Sequence, residues 1–77
     1  MSLNVTVFDT TLEIKINSRS LLEFSLDQAI IHSSFLRVDR VFDANRKVWV
    51  ISNFQKYASL PMVAKAMESR KKQMELF

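Results

Sequence analysis

Glycine and cysteine are both missing from the chain, and proline occurs once. Ordinary usage of ~7% would place about five glycines in a sequence of this length. Without them neither the phosphate-cradling P-loop nor the dinucleotide fingerprint can be built, because both need backbone that a Cβ would block. Without cysteine there is no disulfide scaffold, no thiol nucleophile and no thiolate zinc site. A cysteine-free chain is also at home in a reducing compartment. Long apolar runs are lacking too. The longest is Val48–Ile51, against the ~20 residues of a membrane span. The N-terminus lacks the basic, apolar, small-residue order of a secretory leader. The expectation is a cytoplasmic protein with no membrane association.

What is present belongs to a globular protein: 48% hydrophobic residues and 25% charged. The 77 residues are expected to form one domain, 1–77. A chain so short buries only ~60–65% of its unfolded surface, so burial added by a partner counts for more than in a larger protein. The net charge of +3 is unevenly spread. Residues 1–36 set Lys15 and Arg19 against Asp9, Glu13, Glu23 and Asp27, a balance of −2. Residues 37–77 carry nine bases against Asp39, Asp43, Glu68 and Glu75, a balance of +5. Such asymmetry suggests a polyanion or an acidic protein as partner.

Leu3, Val5 and Val7 alternate with polar neighbours, and so do Leu12, Ile14 and Ile16. Period-two alternation marks half-buried strands, which predicts a hairpin over 3–17. A four-residue loop, Phe8–Thr11, sets Val7 opposite Leu12, Val5 opposite Ile14 and Leu3 opposite Ile16. A one-residue slip would turn one of these rows to the wrong face. A helix over about 21–34 follows. Two capping boxes compete for its start, Ser20 with Glu23 and Ser25 with Gln28. Leu22, Leu26, Ala29, Ile30 and Ser33 recur at helical spacing and predict its apolar face.

A second hairpin is predicted over 35–52, with strands Phe35–Phe42 and Arg46–Ser52 around Asp43-Ala44-Asn45. With no glycine available, Asn45 is best suited to a left-handed turn position. That loop would place Val38 across from Val50 and Arg40 across from Val48. Apolar residues fall on both faces of this hairpin, so one face covers the core and the other needs a helix or a partner over it. The last helix is predicted over about 60–75, with Ser59 as N-cap, Pro61 in the first turn and a stripe of Leu60, Val63, Ala64, Met67 and Met74. Its Met74–Phe77 end is expected to fray. The order β-β-α-β-β-α describes a small α+β domain, an antiparallel sheet with helices packed on one face.

No catalytic constellation emerges. His32 is the single histidine, with no orienting group or cleft implied around it. Asp39 with Asp43, and Asp9 with Glu13, read as turn and cross-strand charges rather than as an acid–base pair or metal ligands. No enzyme activity, cofactor or metal is expected.

Two binding surfaces are predicted instead. In the first, Arg37, Lys47 and Trp49 share one face of the second hairpin, with Arg40 and Arg46 at its edges. A ring among cations on an antiparallel sheet can stack a base and neutralise phosphates. Arg70, Lys71 and Lys72 on the last helix would extend that basic surface toward a nucleic acid. In the second, Val41, Trp49 and Ile51 with Met67 dock on another protein, or on a second copy in a homodimer.

Overall fold

A computed structural model describes the backbone of residues 3–75 and the side chains of residues 3–72. The expectations for the Met74 side chain and for residues 76–77 lie outside them. Strands β1 (Leu3–Val7) and β2 (Thr11–Ile16) lead into helix α1 (Leu21–Ser34), then β3 (Arg40–Asp43), β4 (Val48–Ser52) and helix α2 (Pro61–Glu75). Short 3₁₀ turns at Arg37–Asp39 and Phe54–Tyr57 bracket the second hairpin. The four strands form one antiparallel sheet in the order β1-β2-β4-β3. This is the α+β arrangement that the alternation and helical spacing predict.

The first hairpin adopts the predicted register, with Val7 opposite Leu12, Val5 opposite Ile14 and Leu3 opposite Ile16. Both strands carry unbroken alternation, and this pairing places all six apolar side chains on one face, where a one-residue slip would reverse one row. Leu12 and Ile14 are fully buried there, joined by Trp49 and Ile51 of β4 and covered by Ile31 and Phe35 from the α1 segment and Val63 from α2. Both helices therefore lie over the same face of the sheet. The opposite face carries Asn4, Thr6, Glu13, Lys15, Val41 and Val50 and has no helix over it among the described residues.

Of the two capping boxes, the first is used. The Ser20 Oγ accepts from the Glu23 N–H at 3.2 Å, and the Glu23 carboxylate accepts from the Arg19 N–H at 2.9 Å. Free N–H groups at the first turn thereby find acceptors in both directions. At the other end the Phe35 N–H closes the last turn on the Ile31 carbonyl, and the extended backbone of Phe35 ends the helix.

The second hairpin departs from expectation in length and in register. Phe35–Asp39 is not strand: it holds the helix end and a 3₁₀ turn, and β3 begins only at Arg40. The turn is Ala44–Lys47, one residue longer than predicted, because the Asp43 carboxylate gathers the N–H groups of Asn45 and Arg46 at 3.0 and 3.2 Å. Lys47, not Asn45, takes the left-handed conformation, at φ 56°. Val41 thus pairs with Val50, Phe42 with Trp49 and Asp43 with Val48. The displacement is an odd number of residues, so β3 is turned over relative to the predicted pairing. Phe42 and Arg40, rather than Val41, share the helix-covered face with Trp49.

In α2, Pro61 occupies the first helical position, where its missing N–H is harmless. The Leu60 carbonyl accepts the first helical bond from Ala64 at 2.9 Å, so Leu60 and not Ser59 stands at the cap position. Val63 and Ala66 are buried, Leu60, Met62 and Met67 are half-buried, and Ala64 is exposed. The inward stripe is rotated slightly from the predicted one.

Candidate functional site

The residues predicted to bind nucleic acid do not converge. Trp49 is only 7% exposed and lies under α1, edge-on to His32 at 5.2 Å and tilted against Phe42 at 5.3 Å. Arg37 precedes β3 and Lys47 follows its turn, so they stand at opposite ends of that strand. Arg70 donates to the Val7 carbonyl at 3.2 Å and pairs with Asp9 at the β1–β2 turn. Lys71 edges an open groove of about 510 Å³ beside Phe8 and Met67, and Lys72 is exposed.

Much of the positive charge in the C-terminal half is engaged within the fold. The Arg46 guanidinium bridges Glu13 at 2.9 Å and Asp43 at 3.0 Å on the outer sheet face. Arg40 interrupts an apolar row for a local reason. Its Nη1 donates to the Phe35 carbonyl at 2.7 Å and reaches the His32 carbonyl at 3.5 Å, so a cation sits at the negative end of α1.

The predicted protein-docking set is also divided. Ile51 and Trp49 belong to the core, Met67 is half-buried against it, and Val41 is exposed on the opposite face of the sheet. Register explains the division. With β3 turned over, Val41 and Trp49 point to opposite sides.

One constellation resembles a reactive centre. Asp39, buried in the 3₁₀ turn before β3, receives the Tyr57 hydroxyl at 2.5 Å and the Lys56 ammonium at 2.7 Å on one oxygen, and the Asn53 amide at 3.2 Å on the other. These partners hold its carboxyl at about 2, below the ordinary 3.8, with the bond from Lys56 contributing most, then Tyr57, then Asn53. The Tyr57 oxygen also accepts from the Leu36 N–H at 3.1 Å. Both Asp39 oxygens are engaged with side chains of the 53–57 segment. The cluster ties that segment to the start of β3 as a staple. Asn53 adopts φ 52° to bring its amide there. No group of three or more metal-ligating side chains occurs among the described residues.

The least expected surface is α1. Most of its predicted apolar face is turned away from the sheet: Leu22 is 72% exposed and Leu26 57%, with Ala29 and Ser33 exposed beside them, while Ile30 at the edge of that face is half-buried. Leu21, on the flank, is 87% exposed. The inward side carries Ile31 together with Asp27, which is only 3% exposed and whose Oδ2 has no hydrogen-bond partner among the described residues. Ile31 and Phe35 fix this orientation by filling the space over Leu12, Ile14 and Trp49. Phe24 anchors the first turns beside Phe42, where the two rings, Ile16 and Ala44 line a groove of about 370 Å³.

Apolar residues thus surround the α1 axis instead of keeping to one side. A helix of that kind is ordinarily covered on all sides. Phe24 and Ile31, seven residues apart and so also on one side of a helix, form the face that packs inward in place of the predicted one.

Compared with protein-family models, with curated proteins and with solved structures, the chain finds no match in any of the three.

Proposed function

We propose that this chain is a small, non-enzymatic binding protein of the cytoplasm that works through association with a protein partner, with the outward face of α1 as its contact surface. One observation carries the reading. The helix turns Leu22 and Leu26 to solvent while turning Asp27 inward, the reverse of what an isolated monomer gains most from. Exposing leucine forgoes burial worth ~1.5–3 kcal/mol per side chain, so the arrangement makes sense where a partner supplies the cover. Leu21, on the flank of the same helix, is exposed as well, and neighbouring exposed leucines of this kind are the ordinary mark of a contact site.

The test uses an environment-sensitive dye that reports apolar surface, with the Leu22→Glu/Leu26→Glu double variant beside the wild type. The wild type binds dye, and the variant loses that binding while unfolding at an unchanged urea concentration. A variant that fails to fold would place the leucines in the core and overturn the proposal. Titration with mixed single- and double-stranded nucleic acid at low salt supplies the competing outcome. Binding that weakens steeply with salt and is lost in Lys47→Glu would return the basic-surface reading to first place.

A further inference from the structure

Resting on that reading of α1, we infer that the occupant of its outward face is a second copy of the same helix, packed antiparallel about a two-fold axis. Leu22, Leu26, Ala29 and Ser33 are spaced four, three and four residues apart, the a/d rhythm of a helix-on-helix seam. Along this seam the large side chains stand in the N-terminal half and the small ones in the C-terminal half. Antiparallel pairing centred between Asp27 and Gln28 sets Leu22 against Ser33 of the other copy and Leu26 against its Ala29. Each layer then joins one large and one small residue, so the axes stay evenly spaced. Parallel pairing would stack leucine on leucine at one end and leave a gap at the other.

Charge points the same way. Residues 21–34 contain no lysine or arginine, and of the two acids Asp27 faces inward. The remaining Glu23 lies at the first turn, so antiparallel copies hold their two Glu23 carboxylates near opposite ends of the seam. The helix macrodipoles are opposed as well. A helix of 14 residues is ~21 Å long and offers less than the ~800 Å² per partner of a standard interface. The dimer is accordingly a micromolar one, and two-fold closure leaves no open surface for further growth.

Sedimentation and light scattering over a concentration series test the inference. The wild type passes from monomer to dimer in the micromolar range. Leu26→Glu weakens the dimer by more than about 100-fold, since each substitution acts in both copies. Ala29→Leu also weakens it, although it adds apolar surface, and the swap Leu26→Ala/Ala29→Leu restores it by exchanging large and small within one layer. Because the chain has no cysteine, an equimolar mixture of Leu26→Cys and Ala29→Cys chains reports orientation directly under mild oxidation. Mixed disulfides are expected to dominate.

A wild type that stays monomeric at all concentrations, or Leu26→Cys chains that link mainly to one another, overturns the second-copy inference. In either of those cases a dye-binding outward face would leave the broader proposal standing. Unfolding of Leu26→Glu as a monomer overturns both.

Discussion

Two truncations on the same helix separate its inward face from its outward one. Ile31→Ala removes three carbons from a side chain with no exposed surface, packed in the core with Leu12, Ile14 and Trp49. At ~0.8 kcal/mol per buried methylene the transfer loss is about 2.4 kcal/mol, and the cavity left behind raises it to about 3 kcal/mol. Leu22→Ala removes the same number of carbons from a side chain already 72% exposed. Its transfer loss is under ~1 kcal/mol, and the better helix propensity of alanine offsets part of it. A chain of this size has a total stability of about 4–12 kcal/mol and a urea m-value near 1 kcal/mol/M. Ile31→Ala therefore lowers the unfolding midpoint by about 3 M, and Leu22→Ala by less than about 1 M. Trp49 fluorescence and helical circular dichroism follow the transition, at submicromolar protein so that association does not contribute. Equal shifts for the two variants would refute the reasoning, because they would mean that the leucine face is the one packed on the sheet.

Three further outcomes follow from the same contacts. Asp39 titrates below its unfolded value, so the stability that its partners confer is complete above an unfolded pKa of ~3.9 and is lost as pH falls toward its folded value of about 2. Acid titration of Tyr57→Phe should show a shallower loss over that interval than the wild type, and an identical profile would remove Asp39 as its source. Arg40→Ala should cost about 1 kcal/mol by uncapping the carbonyl end of α1, with amide exchange rising first at Ser33–Phe35. Uniform exchange along the helix would contradict the capping role. Trp49 should emit at short wavelength and ignore added nucleic acid, whereas quenching reversed by salt would show the ring to be accessible to bases.

The parts of the fold legible in the sequence are those decided by local pattern. The first hairpin has one polar and one apolar row in each strand, which excludes a one-residue slip, and the short loop selects the register in which all three apolar pairs match. The start of α1 is likewise fixed by Ser20 and Glu23, a pair within one turn of helix. The second hairpin offers no such contrast, because apolar residues lie on both faces of its strands. There the decision falls to Asp43, whose carboxylate organises a four-residue turn. The Phe35–Asp39 stretch reads as strand by composition, yet its fate depends on Asn53, Lys56 and Tyr57, at least 14 residues away from Asp39. No window-based reading contains those partners. The candidate site moved for the same reason. Trp49 points into the core with Ile14 and Ile51 through the pairing of the central strands, while the register of β3 leaves Val41 on the opposite face, so the predicted docking set divides. On α1 the helical spacing of Leu22 and Leu26 marks an apolar face, but Ile31 with Phe35 packs inward instead because these side chains reach the space above Trp49.

The orientation of α1 can be measured with a single thiol, since the chain offers no other. A Leu26→Cys variant at nanomolar concentration should react with a disulfide reagent within about tenfold of its rate in urea, because the position is open without any unfolding. Ile31→Cys supplies the buried reference. If the thiol at position 26 is instead slowed by the ~1,000-fold or more that global unfolding imposes, the leucine face is inward and no binding surface exists on this helix.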